Sequence, residues 1–207
     1  MSEERIRPRV VVTGFASLLH VPDNPSERLV KALQTEPQPD WADWDYVQLD
    51  TIYAEVPPRL TAILAKAPDA LILTGYSGVA NGLKLETGAT DRRSPKFADA
   101  TGFVPQDPAT EPRRIDNEAV DFAALRQRLG GAGVPHHLSG DAGEYVCNHS
   151  YYEALSHIRA AGAPTRTIFV HIPAIEGSDL AGTSASALPL DMIAKGVRLV
   201  AEELARP

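Results

Sequence analysis

Residues 9–14 read RVVVTG, a run of three valines that ends at Gly14. Valine is β-branched and favours strands, and an uninterrupted apolar run indicates a strand that is covered on both faces. Similar runs recur as ALILTG at residues 70–75 and TIFVH at residues 167–171. Strands of this kind are typical of a parallel sheet that lies between two layers of helices.

Helical patterns separate these strands. In NPSERLVKAL, Asn24 precedes Pro25 and Glu27, which predicts a capped helix start. Further helices are predicted from Pro57, over residues 116–129 and 146–161, and from near Pro189, with further strands over 45–50 and 134–139. The alternation predicts an α/β fold: a single three-layer α/β/α domain over residues 1–207 with a mainly parallel, twisted central sheet.

Residues 75–114 show no helical or strand periodicity. A stretch of this length is unusual inside a compact domain and is typical of a functional or partly disordered loop. It begins where the strand ALILTG ends, and ligand sites of α/β sheets gather at the carboxyl ends of strands. We therefore expect a long, mobile active-site loop here.

Composition narrows the functional class. The chain has 207 residues, of which 43% are hydrophobic and 23% charged, as in ordinary globular proteins. A net charge of −7 without a basic stripe argues against nucleic-acid binding. No apolar run reaches the ~20 residues needed to cross a membrane. The start of the chain lacks the apolar stretch of a signal peptide, and one cysteine cannot form an internal disulfide, so we expect a cytoplasmic protein.

That cysteine, Cys147, lies in GDAGEYVCNHSYYEALSHI at residues 140–158. Tyr151, Leu155 and Ile158 follow it at helical spacing, which places Cys147 at the start of a helix. The free amides and the dipole there favour a thiolate, which predicts a lowered pKa, and they can also hold an oxyanion. The alternative is a buried structural thiol.

Two further residues could complete a nucleophilic site. His171 closes the strand TIFVH, where a histidine can act as general base toward a thiol. Glu86 lies in the segment after ALILTG and could orient an imidazole. A structural histidine and an ordinary exposed glutamate are the alternatives. His149 is a rival base, but two residues from Cys147 on a helix it faces another side.

The sequence predicts neither a metal nor an organic cofactor. The remaining histidines lack the spacing of a metal site with a third ligand. The glycine-containing segment GYSGVANG at residues 75–82 matches neither the P-loop nor the dinucleotide fingerprint.

Four ordered blocks of the chain resemble the pyroglutamyl peptidase I family of cysteine peptidases. The blocks are VVVTGF with NPSERLVKAL, LILTGYSGVANGLKLE, AGEYVCNH and FVHIP. The third is the most specific, since AGxxVCNH surrounds the nucleophile in that family. The resemblance implies an α/β/α fold and a triad of Glu86, His171 and Cys147. It also implies removal of N-terminal pyroglutamate from peptides without a metal or cofactor, commonly by a cytoplasmic homotetramer.

The residues that would line the substrate pocket depart from the family pattern. The family usually reads TGFxPFGG where this chain reads TGFASLLH, so Phe15 is kept but Leu18 replaces a second phenylalanine. Tyr76 stands where glutamine is usual. By position, pocket-lining residues also fall at Thr51, Phe97 and Tyr145.

The segment around Glu86 departs as well. It reads LETGATD where the family usually has PERxAxN. An arginine usual about ten residues further on is matched by Lys96, with Arg92 and Arg93 close by.

These changes leave two alternative functions open. One is a cysteine-dependent amidohydrolase or acyl transferase that acts on another small cyclic or amide substrate. The other is a non-catalytic relative that binds peptide N-termini.

Overall fold

A six-stranded sheet with helices on both faces forms the centre of the molecule. The structure is a computed structural model that describes residues 7–18, 21–106 and 111–206. Its elements in chain order are β1 (Arg9–Phe15), α1 (Pro25–Thr35), β2 (Asp43–Leu49), α2 (Val56–Leu64), β3 (Ala70–Tyr76), β4 (Leu83–Glu86), β5 (Gly88–Thr90), β6 (Arg114–Asp116), α3 (Phe122–Gly131), β7 (His136–Ser139), α4 (Val146–Ala161), β8 (Arg166–Ile172), β9 (Ala174–Ile175), β10 (Ala187–Leu188) and α5 (Leu190–Ala205).

The strand order of the central sheet is β2–β1–β3–β8–β4–β7. All neighbours are parallel except β4 and β8, which run antiparallel. The prediction of an α/β fold with a mainly parallel sheet is therefore confirmed. The carboxyl ends of β1, β2, β3 and β8 lie along one edge, where α/β proteins build their sites.

Two apolar clusters cover the two faces of the sheet. Leucines and valines of α1, α3 and α5 pack on one face, against Val10 and Val12 of β1. Residues of α2 and α4 pack on the other face, against Val11 of β1 and Phe169 of β8. Because successive residues of β1 point to opposite faces, its valine run fills both clusters at once. In the described part of the chain, no helix is long and apolar enough to cross a bilayer.

The segment 75–114 differs from the expected loop. It contains β4, which is inserted into the central sheet, and β5, which pairs with β6 in a separate antiparallel ribbon. These strands have four and three residues, too few to produce a recognisable alternation. Residues 107–110 lie outside the described part.

The helix boundaries are mostly as predicted. Asn24 caps α1, and its side chain accepts a hydrogen bond from the amide of Ser26. The helix expected over residues 116–129 instead begins at Phe122, because the carboxylate of Asp121 accepts hydrogen bonds from two amides of the first turn. Residues 114–116 are paired in β6.

Candidate active site

His171 and Glu86 form a buried hydrogen-bonded pair. Nδ1 of His171 lies 2.8 Å from Oε1 of Glu86, and their residues are 5% and 0% exposed. His171 comes from the carboxyl end of β8, as expected. Glu86 comes from β4 and not from a loop, because the antiparallel pairing of β4 with β8 brings it to the face that His171 occupies. A fully buried carboxylate beside an imidazole excludes the alternative of an exposed glutamate.

A third charged residue, Lys84, belongs to this pair. Its Nζ lies 3.1 Å from the same Oε1 of Glu86 and donates a hydrogen bond to the carbonyl of Asp141 at 2.7 Å. In the register of the sheet, Lys84 lies directly opposite His171. The sequence analysis missed this residue. The signal that could have revealed it is its position two residues before Glu86, which puts both side chains on one face of a strand.

Cys147 is the second residue of α4, as the helical spacing predicted. Among the residues that the structure describes, no side chain caps this helix, so the amides of its first turn are available to an anion. The side chain of Asn148 fixes the start of the helix, since it binds both the amide and the carbonyl of Thr90 and the carbonyl of Arg92.

The sulfur of Cys147 lies over the end of strand β3. A Cβ atom added to Gly75 would be 2.9 Å from Sγ of Cys147, so the sulfur rests almost on the backbone at this glycine. Gly75 is in turn the register partner of His171 across the β3–β8 pair. The structure therefore brings the three candidate residues, Cys147, His171 and Glu86, to one end of the sheet.

The electrostatics of the site favour neutral acid–base groups. Burial, followed by the nearby Glu86 carboxylate, raises the pKa of Cys147 to about 12, although its own backbone amide and Lys84 act in the opposite direction. Burial also lowers the pKa of His171, an effect that the hydrogen bond to Glu86 opposes. The expectation of a lowered cysteine pKa from the helix start alone is therefore wrong, because desolvation of the sulfur outweighs the helix. A neutral thiol beside a neutral imidazole can react when proton transfer accompanies attack.

The predicted pocket residues lie near this end of the sheet in different settings. Phe15, the last residue of β1, is buried. Thr51, just after β2, is buried with a hydroxyl oxygen that has no hydrogen-bond partner among the described residues. Leu18 is half-buried and pairs with Val21 in a short bridge. The hydroxyl of Tyr76 lies 2.7 Å from that of Ser184.

The last two predicted pocket residues belong to an aromatic cluster. Tyr145 donates a hydrogen bond to the carbonyl of Ala98, and Phe97, which is 61% exposed, packs edge-on against its ring. Tyr53 contacts Tyr145 on another side, as well as Phe103. The sequence analysis did not identify Tyr53 or Phe103, since aromatic residues this far apart carry no shared spacing.

His149, the rival base, packs in this aromatic cluster. Its ring packs against Tyr53 at 5.3 Å, and burial, with Arg93, lowers its pKa to about 4. The guanidinium of Arg93 lies over the Tyr53 ring, whereas Arg92 pairs with Glu144 and Lys96 is exposed. Among the described residues, no three metal-ligating side chains cluster together.

A cysteine at a helix start, next to a buried histidine–glutamate pair, defines the site of a cysteine hydrolase. Comparison with known proteins identifies its family. Residues 8–206 match the profile of the pyroglutamyl peptidase family, and the chain belongs to that family. Removal of N-terminal pyroglutamate is the function of the family.

Individual relatives agree over nearly the whole chain. The pyrrolidone-carboxylate peptidase of Thermococcus kodakarensis is 33% identical over 96% of this chain and 98% of its own. The pyrrolidone-carboxylate peptidase 1 of Ralstonia nicotianae is 30% identical over 96% of this chain and 94% of its own. The crystal structure of pyroglutamyl peptidase I from Bacillus amyloliquefaciens superimposes with a TM-score of 0.85, at 26% identity over 96% of this chain and 97% of the other.

Proposed function

We propose that this chain is a cysteine peptidase that removes N-terminal pyroglutamate from peptides, with Cys147 as nucleophile, His171 as general base and Glu86 as the residue that orients the imidazole. One observation carries the assignment of roles. Nδ1 of His171 is bonded to Glu86, while the strand partner of His171, Gly75, lies beneath the sulfur of Cys147. The other ring nitrogen, Nε2, is thereby left for the thiol.

In the proposed reaction, Sγ of Cys147 forms a bond to the carbonyl carbon of pyroglutamate as Nε2 of His171 takes the thiol proton. The amides at the start of α4 hold the oxyanion. The carbon–nitrogen bond then breaks, and His171 gives its proton to the departing amine, which leaves a thioester. Water, activated by His171, hydrolyses the thioester and restores the thiol.

The substrate ring is a neutral lactam, which needs apolar walls and a few hydrogen bonds. For the walls we propose Phe15, Leu18, Tyr76 and Tyr145, with Phe97 at the exposed rim. The unpartnered hydroxyl of Thr51 supports a hydrogen bond to the lactam, because a buried polar atom without a partner is costly.

We further infer that residues 1–207 form one domain that works as a cytoplasmic homotetramer. A nucleophilic thiol must remain reduced, which favours a reducing compartment. Phe97 packs against Tyr145, and Phe103 packs against Tyr53. Both phenylalanines are exposed and are available for contact with another copy of the chain. Light scattering of the purified protein tests the tetramer, and a monomeric mass contradicts it.

The activity is tested with pyroglutamyl-aminomethylcoumarin, whose hydrolysis releases a fluorescent amine. Prolyl-aminomethylcoumarin serves as the matched control, because its ring lacks the lactam carbonyl. The proposal predicts turnover of the first substrate only, and complete loss in Cys147→Ser with an unchanged circular dichroism spectrum. A folded wild-type protein that turns over neither substrate would contradict the proposal and favour another amide substrate.

A further inference from the structure

Lys84 has an unusual position for a lysine. Its side chain is only 15% exposed, and its ammonium group lies 3.1 Å from the Glu86 carboxylate, whose own side chain is fully buried. Lysine seldom lies in the interior without a charged partner. Lys84 and Glu86 are two residues apart in β4, so their side chains are on the same face of the strand. Lys84 also lies opposite His171 across the β4–β8 pair, so these three ionisable groups share one face of the sheet.

Few groups contact the carboxylate of Glu86 and stabilise its negative charge. Lys84 and His171 both contact Oε1, whereas Oε2 has no hydrogen-bond partner among the described residues. A buried carboxylate with so little support is stable as an anion only if a cation lies next to it. His171 does not supply that charge in the resting site, because burial lowers its pKa. Among the described residues, Lys84 is the cation that contacts the Glu86 carboxylate.

We propose that Lys84 is a positioning residue for the reaction, whose ammonium group keeps Glu86 ionised and thereby holds His171 in the tautomer that can accept the thiol proton. An ionised Glu86 accepts a hydrogen bond from Nδ1–H and leaves the lone pair of Nε2 free. A protonated Glu86 would donate to Nδ1 instead, and the proton would then reside on Nε2, where it blocks the base. The inference rests on the proposed function.

The direction of the pH effect follows from the charges around the pair. At low pH the Glu86–His171 pair binds one additional proton. Removing the positive charge of Lys84 raises the pH at which the pair loses this proton. That proton is inhibitory on either residue, since it converts His171 to imidazolium or fixes the wrong tautomer. The other ionisable groups around the pair are Asp141 from the turn before α4, Cys147 and Tyr151 from α4, His137, which is the register partner of Lys84 on β7, and Arg114 of β6, which acts on Tyr151. Arg114 is bound to Asp116 and the carbonyl of Gly140, and His137 lies against the carbonyl of Asn81, so within the described part of the chain neither contacts the Glu86 carboxylate in place of Lys84.

Lys84 also has a purely structural contact, its hydrogen bond to the carbonyl of Asp141 in the turn that leads to α4. Two variants separate the roles. Lys84→Gln removes the charge but can still donate a hydrogen bond to that carbonyl, whereas Lys84→Arg keeps the charge. Lys195→Met is the matched control, because Lys195 also donates to a backbone carbonyl, that of Ala132, but lies in α5.

The first measurement is the pH profile of kcat/KM on pyroglutamyl-aminomethylcoumarin. In Lys84→Gln we expect the acid limb to move to higher pH, with kcat/KM at about pH 6 reduced at least tenfold relative to wild type and a smaller loss near pH 8. Lys84→Arg and Lys195→Met should keep the acid limb of the wild type. An equal loss at every pH in Lys84→Gln, or an unmoved acid limb, overturns the proposal. If Lys84→Gln does not fold, Lys84→Met is measured in the same way.

A second measurement separates this inference from the proposed function. Nitrogen NMR of the His171 ring reports its charge and tautomer without any substrate. Near pH 7 we expect the neutral Nδ1–H form in the wild type and either imidazolium or the Nε2–H form in Lys84→Gln. Identical spectra overturn the role of Lys84. A wild-type protein without turnover but with this spectral difference would contradict the peptidase activity alone.

Discussion

Gly75 and Cys147 are in such close contact that no side chain fits between them: a Cβ atom at position 75 would lie 2.9 Å from Sγ and 2.9 Å from Cζ of Phe169. Both distances are shorter than the contacts of non-bonded heavy atoms, so the neighbouring groups would have to move. The absence of a side chain at the end of β3 therefore sets where the sulfur of Cys147 lies relative to His171, the neighbour of Gly75 in the sheet.

This contact predicts the effect of Gly75→Ala. The added methyl group should displace the sulfur, and a displacement of about 1 Å costs on the order of a hundredfold in rate. We expect a loss of kcat together with a lower melting temperature, because the methyl group also meets the buried ring of Phe169. Gly131→Ala, at a position with no atoms within 4 Å of the added Cβ, is the control and should match wild type. Full activity in Gly75→Ala would mean that the sulfur reacts from another position.

The raised pKa of Cys147 predicts slow alkylation of the free enzyme at neutral pH. Because a raised pKa leaves little thiolate below it, the rate with iodoacetamide should keep rising above the ~8.5 of an ordinary cysteine. The chain has one cysteine, so the modified site is unambiguous. A rate that levels off below about pH 7 would instead indicate a preformed thiolate–imidazolium pair.

Removing the base should be more damaging than weakening its orientation. We expect His171→Ala to lower kcat at least about a hundredfold, the scale of a positioned acid–base group. Glu86→Gln should cost less, because a neutral amide oxygen can still accept from Nδ1–H. His157→Ala, in the last half of α4, is the control for a histidine outside the site. If His157→Ala and His171→Ala were equally active, His171 would not be the base.

Leu18→Phe tests the substrate pocket. An aromatic contact is worth roughly 0.5–1.5 kcal/mol beyond buried area, which is about two- to tenfold in affinity. The ring is bound in both ground and transition states, so the gain should appear as a lower KM at similar kcat. The half-buried position of Leu18 leaves part of its surface free for a substrate. An unchanged KM would mean that Leu18 does not contact the lactam.

The buried hydroxyl of Tyr151 is hydrogen-bonded to the strand that carries Glu86, and it should contribute to the stability of the fold. It donates a hydrogen bond to the carbonyl of Glu86 and accepts one from Asn117. Tyr151→Phe leaves that buried carbonyl without this partner, which predicts a loss of about 1–2 kcal/mol in the free energy of unfolding by urea. Tyr152→Phe is the control, since its hydroxyl forms no hydrogen bond within the described residues and is not fully buried. Equal stabilities of the two variants would contradict the role of Tyr151.

The local patterns of the sequence were sufficient for the central elements. The apolar runs of β1, β3 and β8 and the helical spacing after Cys147 each extend over several residues, so they identified strands, a helix and the ends where Cys147 and His171 lie. The setting of Glu86 could not be predicted in this way. Its strand is four residues long and pairs antiparallel with β8, a contact 85 residues away in the chain.

The ionisation of Cys147 and the role of Lys84 could not be predicted from local sequence patterns either. The position of Cys147 at a helix start predicted a lowered pKa, but burial reverses the direction. Lys84 looked like one more surface lysine, because its contact with Glu86 exists only once β4 is in the sheet. Such effects depend on how deeply a group is buried after folding, which a linear sequence does not display.

The order of strands in the sheet has a consequence for biosynthesis. The strand β8 is the last of the six to leave the ribosome, yet it lies between β3 and β4, which are made much earlier. Until residues 166–172 emerge, the two flanking strands expose unpaired edges, and an unpaired edge invites association with other chains. The same late strand carries His171. With His171 as the proposed base, we expect no hydrolysis by a nascent chain or by a chain truncated before residue 171, and recovery of activity during refolding should report insertion of the central strand rather than formation of helices.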